Sequence, residues 1–312
     1  PEAYGYGELP NVVTQREFEG RLQTPIDGAA GASPRSVVMI QCVGSRDESQ
    51  PYCSRVCCSE ALKNALALKQ REPQAQVTLL YRDLRSYGFR ERLYRQARLA
   101  GVRFLQFEPS EPPVVTRREI EPGRSAEQLR VRVLAQPGKE PVEILADLVV
   151  LSAGIEAEPG NASLSRLLKV PLTKDGFFLE AHVKLRPVDF AAEGIYLCGL
   201  AHSPRSIDET LAQAHAASIK VVALLAKKEL AATPIIASVN PRLCSACGLC
   251  VEVCPFGARR LEPGDAYAQV VEVLCQGCGA CVAACPNKAS QQKGFEFGQV
   301  REMLEAALWE PA

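Results

Sequence analysis

The chain has 312 residues, of which 47% are hydrophobic and 23% charged, which suits a soluble globular chain long enough for two domains. Lys+Arg and Asp+Glu both number 36, so there is no basic field to attract nucleic acid, and no stretch reads as a transmembrane span. Its 13 cysteines are bunched between Cys42 and Cys58 and between Cys244 and Cys285, which argues for metal ligands in a reducing cytoplasm rather than a secreted disulfide scaffold.

From Pro1 onward there is no basic segment followed by an apolar core. This predicts no signal peptide and a start in mid-domain. Val37 to Ile40 is a short, mostly β-branched run that predicts a buried strand. It leads into Q-C-V-G-S-R-D-E-S-Q-P-Y-C-S-R-V-C-C-S-E. After Pro51 the pattern predicts a helix, with Leu62, Ala65, Leu66 and Lys69 at helical spacings. On that helix Cys53 and Cys57 would share a face, with Cys58 following and Cys42 at the strand end. Strand ends facing helix starts are where α/β sheets place ligands, and the positive end of a helix suits an anionic cluster. From spacing alone this quartet is open between a 4Fe–4S cluster, a zinc site, a disulfide with two thiols, and four buried thiols.

The middle of the chain alternates. A strand is predicted at Gln76 to Tyr81, a helix at Arg90 to Ala100 closed by Gly101, and a strand at Val102 to Phe107. Further strands are predicted near Leu129 to Leu134 and at Asp147 to Leu151. This order points to a parallel α/β sheet. No G-x-G-x-x-G follows the first strand, which argues against nicotinamide binding. Cys42 and the helix with Cys53, Cys57 and Cys58 stand where a dinucleotide fold would present glycines, as in a nucleotide domain remodelled to hold a cluster.

The segment from Gly194 to Thr210 resembles the second FAD-binding element of thioredoxin-reductase-like flavoproteins. That resemblance implies a strand at Ile195 to Cys198, a glycine at Gly199, and a helix near Ile207 aimed at the flavin pyrimidine. Gly199, Ala201, Arg205, Ile207 and Thr210 would line the cofactor. Leu200 departs from the aspartate many such proteins carry there. Arg205 reads equally as a solvent-facing loop residue, His202 as a loop cap, and Cys198 as a small buried hydrophobe. Residues 231–240 read as a linker.

Next come C-S-A-C-G-L-C-V-E-V-C-P and C-Q-G-C-G-A-C-V-A-A-C-P, both fitting C-x2-C-x2-C-x3-C-P. In two-cluster ferredoxins the fourth cysteine of each run ligates the other cluster. One 4Fe–4S cluster is therefore predicted on Cys244, Cys247, Cys250 and Cys285, and a second on Cys275, Cys278, Cys281 and Cys254. Zinc is the competing reading of such pairs, but the doubled run is the iron–sulfur signature. Ala258 and Ala289 take positions where small residues border a cluster. Phe295, Phe297, Val300, Leu304 and Leu308 predict a closing amphipathic helix, expected to pack on the ferredoxin core rather than on a partner.

Three motifs together, Y-G-Y-G-E-L-P-N-V-V-T-Q-R-E-F-E, I-Q-C-V-G-S-R-D with P-Y-C-S-R-V-C-C, and G-I-Y-L-C-G-L-A-H-S-P-R-S-I-D-E-T, resemble the heterodisulfide reductase HdrA family of iron–sulfur flavoproteins. With the double cysteine run the resemblance spans essentially the whole chain. It implies a third 4Fe–4S cluster on Cys42, Cys53, Cys57 and Cys58, beside an FAD whose first binding half precedes the Y-G-Y-G motif in that family. The chain would then be a fragment or one part of a split HdrA. Residues 1–32 would be a linker and the end of an FAD domain. Residues 33–155 would be a remodelled, thioredoxin-reductase-like nucleotide domain and 156–230 the C-terminal half of the FAD domain. Residues 240–312 would be a small bacterial two-cluster ferredoxin domain. The implied function is an oxidoreductase subunit carrying three 4Fe–4S clusters and FAD. It would work with B-type and C-type subunits, a hydrogenase- or dehydrogenase-linked electron-input subunit, and ferredoxin. A flavin would split electron pairs between a disulfide-reducing partner and ferredoxin. The rival readings are a flavin-free electron relay and the matching subunit of a quinone-interacting or acyl-CoA-reducing complex. No nucleophile or acid–base pair stands out, so the chemistry falls to cofactors.

Overall fold

The computed structural model describes residues 3–23, 34–118, 128–228 and 235–308. They form two units, Pro1–Glu158 with Cys198–Gln213, and Pro159–Leu197 with Ala214–Ala312.

In the first unit the elements run β1 (Val12–Thr14), α1 (Gln15–Gln23), β2 (Ser36–Val43), α2 (Cys57–Arg71), β3 (Gln76–Tyr81), α3 (Glu91–Leu99) and β4 (Arg103–Gln106). Then follow β5 (Val114–Arg117), β6 (Leu129–Ala135), β7 (Glu140–Ala146) and β8 (Leu148–Ala153). A five-stranded parallel sheet has the order β1-β8-β2-β3-β4. Every residue of β2 after Ser36 is buried, as a parallel strand covered on both faces requires. One face packs Val37, Met39 and Val150 against Phe18, Leu62, Leu68 and Ala97 of the three helices. The other packs Val38, Ile40, Leu80 and Leu151 against Val131, Val133 and Ile144.

Those last residues belong to a separate antiparallel sheet, β5-β6-β7. The strand expected near Leu129 to Leu134 therefore exists but does not join the parallel sheet. Val12–Thr14 does join it, along β8, so part of the segment read as linker 1–32 is built into this sheet. Residues 24–33 lie outside the described residues.

The chain leaves β2 through α2 to β3 on one side and returns, by way of β5-β6-β7, to β8 on the other. The order thus reverses at β2, and the crevice at its C-terminal end is where open α/β sheets bind ligands. The strands approach closely there. The Gly154 N–H donates to the Val43 carbonyl at 2.8 Å, and a Cβ on Gly154 would stand 2.2 Å from the Gly44 carbonyl oxygen.

In the second unit, α4 (Asn161–Leu168) precedes a small core of Val170, Phe178, Phe190 and Leu197, with the two phenylalanine rings edge to face at 6.0 Å. The strand expected at Ile195 to Cys198 is not formed. Only Tyr196 bridges, to Asp189, and no longer ladder is available to extend it. Helix α5 spans Ile207–Leu225. The ferredoxin segment comprises β9 (Ala237–Val239), α6 (Leu249–Glu252), β10 (Arg259–Arg260), β11 (Gln269–Val270), α7 (Ala280–Ala283) and β12 (Ser290–Gln292). β9 pairs antiparallel with β12, and β10 with β11. The stretch read as linker 231–240 therefore ends in a strand of the ferredoxin fold, while residues 231–234 lie outside the described residues. The closing helix α8 (Phe297–Leu308) is present, but none of its residues is buried, so it does not pack on the ferredoxin core as expected. Phe297 is 84% exposed and Leu308 80%.

Candidate metal centres

The two C-terminal runs repeat with the same local geometry. Ala246 (φ 53°) and Gly277 (φ 63°) take left-handed backbone in the first two-residue gap, and Gly248 (φ 80°) and Gly279 (φ 77°) do so in the second. That conformation turns the backbone so that successive thiols face one side. Gly277 has a second reason to lack a side chain, since a Cβ there would stand 2.3 Å from the Ile235 carbonyl oxygen. The short helices α6 and α7 then carry Cys250 and Cys281.

Two cavities result. One, of about 380 Å³, is lined by Cys244, Cys247, Cys250 and Cys285. The other, of about 370 Å³, is lined by Cys275, Cys278, Cys281 and Cys254. Each cavity thus collects three cysteines from one run and the fourth from the other. Ala289 borders the first and Ala258 the second, each 2% exposed. Backbone N–H groups point at the sulfurs: Ala237 to Cys275 Sγ at 3.3 Å, Ala258 to Cys254 Sγ at 3.3 Å, and Ser290 to Cys285 Sγ at 3.4 Å. Burial acts to raise the Cys285 pKa, but the N–H groups of Ser290, Ala289, Asn287 and Lys288 outweigh it and hold the thiol below its ordinary value. Cys250 is raised, chiefly by burial. Among the described residues no three His, Cys, Asp or Glu side chains close around a point as a single ion requires. A cube carries its four thiolates at separate corners, so cysteines framing a void fit it.

The N-terminal quartet is built differently. Cys42 lies at the end of β2 with φ 60°, and Cys57 and Cys58 open α2. All three are buried, while Cys53 is half-buried. Cys53 is not on the helix, contrary to the expectation from spacing. The chain takes left-handed backbone at Arg55 (φ 62°) and becomes helical only at Cys57. Val56 provides no side-chain cap at the start of α2, where the helix N-terminus favours negative charge. Burial pushes Cys57 up to about 12, helped by Cys58, Cys42 and Cys53, and pushes Cys58 up to about 11, helped by Cys42 and Cys53. The four thiols therefore sit close enough to repel one another as anions. Burial also raises Cys42, opposed by Arg46 and Arg82. Arg46 Nη1 lies 3.9 Å from Cys42 Sγ and pairs with Asp83, which Arg85 also contacts at 2.9 Å. A cationic rim facing four costly thiolates fits an anionic cluster that would deprotonate all four.

Arg55 joins this loop to the start of α5. Its guanidinium donates to the Pro204 carbonyl at 3.3 Å, to the Tyr87 hydroxyl at 2.8 Å, and to Glu209. Glu209 in turn accepts from the Ser206 N–H at 2.9 Å and its hydroxyl at 3.0 Å, closing the helix start. Sequence reasoning passed over Arg55, Arg46, Arg82 and Arg85. Arg46 and Arg55 carry one signal, their place in S-R-D and S-R-V-C-C among the cysteines, whereas Arg82 and Arg85, in Y-R-D-L-R-S, carry none.

Of the expected flavin residues, Gly199 takes φ 65°, with its would-be Cβ 2.9 Å from Thr210 Cγ2. Its N–H donates to Gln213 Oε1 at 2.9 Å. Ala201 is exposed, and Ile207 is 74% exposed. Arg205 donates to Ser203 Oγ at 2.8 Å, a local loop bond. The His202 ring meets Gln213 at 2.9 Å, consistent with a loop-capping role. Cys198 is half-buried, not the buried core residue expected, because no strand forms around it.

Residues 243–290 match the model of the 4Fe-4S dicluster domain. The A-type chain of the H(2):CoB-CoM heterodisulfide,ferredoxin reductase of Methanothermobacter marburgensis is 40% identical over 321 residues, covering 99% of this chain and 47% of the relative. The A-type iron-sulfur chain of the CoB–CoM heterodisulfide reductase of Methanocaldococcus jannaschii is 40% identical over 323 residues, covering 98% and 48%. Along nearly all of its length the chain is homologous to the HdrA component of heterodisulfide reductase. Its homologues are oxidoreductase subunits, and the chain spans about half the length of the curated relatives it matches. Among solved structures, T. acidophilum thioredoxin reductase is 13% identical, covers 72% of this chain and 60% of its own, and gives a TM-score of 0.41. At that score the fold rests on the chain's own strands and helices: an α/β domain and a C-terminal dicluster domain. No helix among the described residues is long and apolar enough to cross a membrane.

Proposed function

We propose that this chain is an iron–sulfur electron-transfer component of a heterodisulfide-reductase-like complex. It would carry three 4Fe–4S cubes and one side of an FAD site. The observation that carries the reading is the pair of cavities, each framed by four cysteines in the crossed order. When bound, the cubes relay single electrons and the flavin exchanges electron pairs for single electrons.

The chain's own residues orient and insulate. Cys244, Cys247, Cys250 and Cys285 hold one cube, and Cys275, Cys278, Cys281 and Cys254 the next. Cys42, Cys53, Cys57 and Cys58 hold the third at the switch point, where the N-terminus of α2 and the Arg46, Arg82 and Arg85 rim favour negative charge. Gly199, Ala201, Arg205, Ile207 and Thr210 line the flavin. Arg55 supports this placement, because it hydrogen-bonds the first turn of α5 while lying two residues from Cys53. The rest of the flavin envelope comes from the half of HdrA that this chain does not span. The relatives' names couple the heterodisulfide to ferredoxin, which supports ferredoxin as an electron partner and splitting of electron pairs as the reaction. B-type and C-type subunits and a hydrogenase- or dehydrogenase-linked input subunit complete the assembly, in the cytoplasm.

The test is cofactor analysis of the anaerobically purified protein with its partner chains. About twelve iron atoms per chain and extractable FAD are expected, four irons for each cube. About eight would remove the N-terminal cube, and absence of flavin from the full complex would overturn electron splitting.

A further inference from the structure

The two C-terminal cavities share a single lining residue among those described, Arg259. It sits on β10, directly after Ala258, and is 3% exposed. The repeat relates it to Ser290, which follows Ala289 in the same way. One half of the repeat thus places a large cation where the other places a small hydroxyl. The guanidinium donates from Nη2 to Ser290 Oγ. Its Nε and Nη1 meet no hydrogen-bond partner among the described residues. Burying a guanidinium with two donor atoms unpaired is strongly unfavourable, and no carboxylate is found beside it among the described residues. Such a charge is sustained only by anions that the protein part does not supply.

We propose that Arg259 is the buried counter-cation shared by the two C-terminal clusters, with Nε–H and Nη1–H directed at their sulfurs, and that it raises the reduction potential of both. The inference rests on the reading of the cavities as cluster sites. A thiolate-ligated cube is an anion that gains a further negative charge on reduction, so a fixed cation between two cubes favours the reduced state of each. Charge-assisted N–H donors at sulfur act in the same direction. Arg259 already opposes the effect of burial on Cys250, as a cation close to the thiols must. Ser290, one hydrogen bond from Arg259, also donates its N–H to Cys285 Sγ, so the same contact fixes a ligand and the cation together. A cation shared by both cubes shifts their two potentials in the same direction.

The experiment compares the unaltered full chain with Arg259→Gln and Arg259→Lys by iron analysis and by redox titration followed by electron paramagnetic resonance. In Arg259→Gln, iron is retained and the reduced-to-oxidised ratio of the C-terminal clusters at a fixed potential falls about tenfold, which is about 59 mV for a one-electron couple. Arg259→Lys recovers part of that loss, because it keeps the charge and loses the fork of donors. Full iron with unchanged potentials in Arg259→Gln would overturn the proposal. Should Arg259→Gln lose iron, the unaltered chain labelled with 15N-arginine decides. A 15N hyperfine coupling to the reduced C-terminal clusters is expected, since among the described residues no other arginine lines either cavity. Reduced clusters without that coupling would overturn it. Iron absent from the unaltered chain would instead overturn the cluster reading itself, and this proposal with it.

Discussion

At the C-terminal runs the cysteines stand on short loops and the one-turn helices α6 and α7, four of them framing each cavity, and Cys247 and Cys278 are exposed. At the N-terminal site Cys42, Cys57 and Cys58 are buried at the end of a central strand and the start of a helix. The first arrangement is set by local backbone, through left-handed turns at Ala246, Gly248, Gly277 and Gly279. The second is set by the connection between β2 and α2, in which Cys42 lies at the end of a central strand and Cys57 and Cys58 open the helix that follows. Their electrostatics differ accordingly. Backbone N–H groups lower Cys285 despite burial, whereas burial pushes Cys57 up to about 12. Hydrogen bonds lower one C-terminal ligand, whereas the N-terminal set depends on the bound metal to offset the cost of its buried thiolates.

The contrast can be broken outright. Replacing Cys57 and Cys58 by alanine should remove the N-terminal cube, dropping iron from about twelve to about eight per chain, with the C-terminal paramagnetic signals intact. Loss of those signals as well would mean the two regions are not independent. The crossing within the C-terminal region is tested next. Cys285→Ala should leave the same surviving spectrum as Cys247→Ala and a different one from Cys278→Ala; grouping with Cys278→Ala would refute the assignment.

Two glycines sharpen the comparison further. Gly277→Ala, with backbone 2.3 Å away, and Gly154→Ala, with backbone 2.2 Å away, should each cost about 2–3 kcal/mol in denaturant unfolding. The first should cost only C-terminal cluster content and the second only N-terminal content, measured by the same spectra. Arg55→Ala breaks a pair whose side chains are 35% and 34% exposed, so its effect on unfolding should be about 1 kcal/mol or less. Leu304→Ser with Leu308→Ser, both on the exposed face of α8, should change stability by no more than about 0.5 kcal/mol. A larger loss there would mean that α8 is covered.

These regions also differ in how far they could be read from residues. The C-terminal cysteines were legible as candidate ligands because the spacing within each run marks them, and the crossed grouping, which follows the pattern of two-cluster ferredoxins, matches the lining of the two cavities. The N-terminal set was legible as a group of cysteines, but not as a site. Its convergence depends on the path of the loop between β2 and α2, and Cys53 was misplaced on the helix because nothing in S-R-V announces left-handed backbone at Arg55. The β5-β6-β7 sheet was half seen. Leu129 to Val133 alternates cleanly, whereas its partners carry Pro141, Glu143 and Arg117 and were not predicted as strands. Arg259 was invisible because A-R-R looks like a solvated surface, and only the packing of the two runs buries it. The α8 periodicity was real, but an amphipathic pattern says nothing about what covers its apolar face.

The most direct test is a crystal structure of the anaerobic protein with anomalous data at the iron edge. The account predicts three iron cubes. Cys285 Sγ should bind the cube held by Cys244, Cys247 and Cys250, and Cys254 Sγ the cube held by Cys275, Cys278 and Cys281. Single-ion peaks in the two cavities, or each run ligating one cube with its own four cysteines, would contradict it.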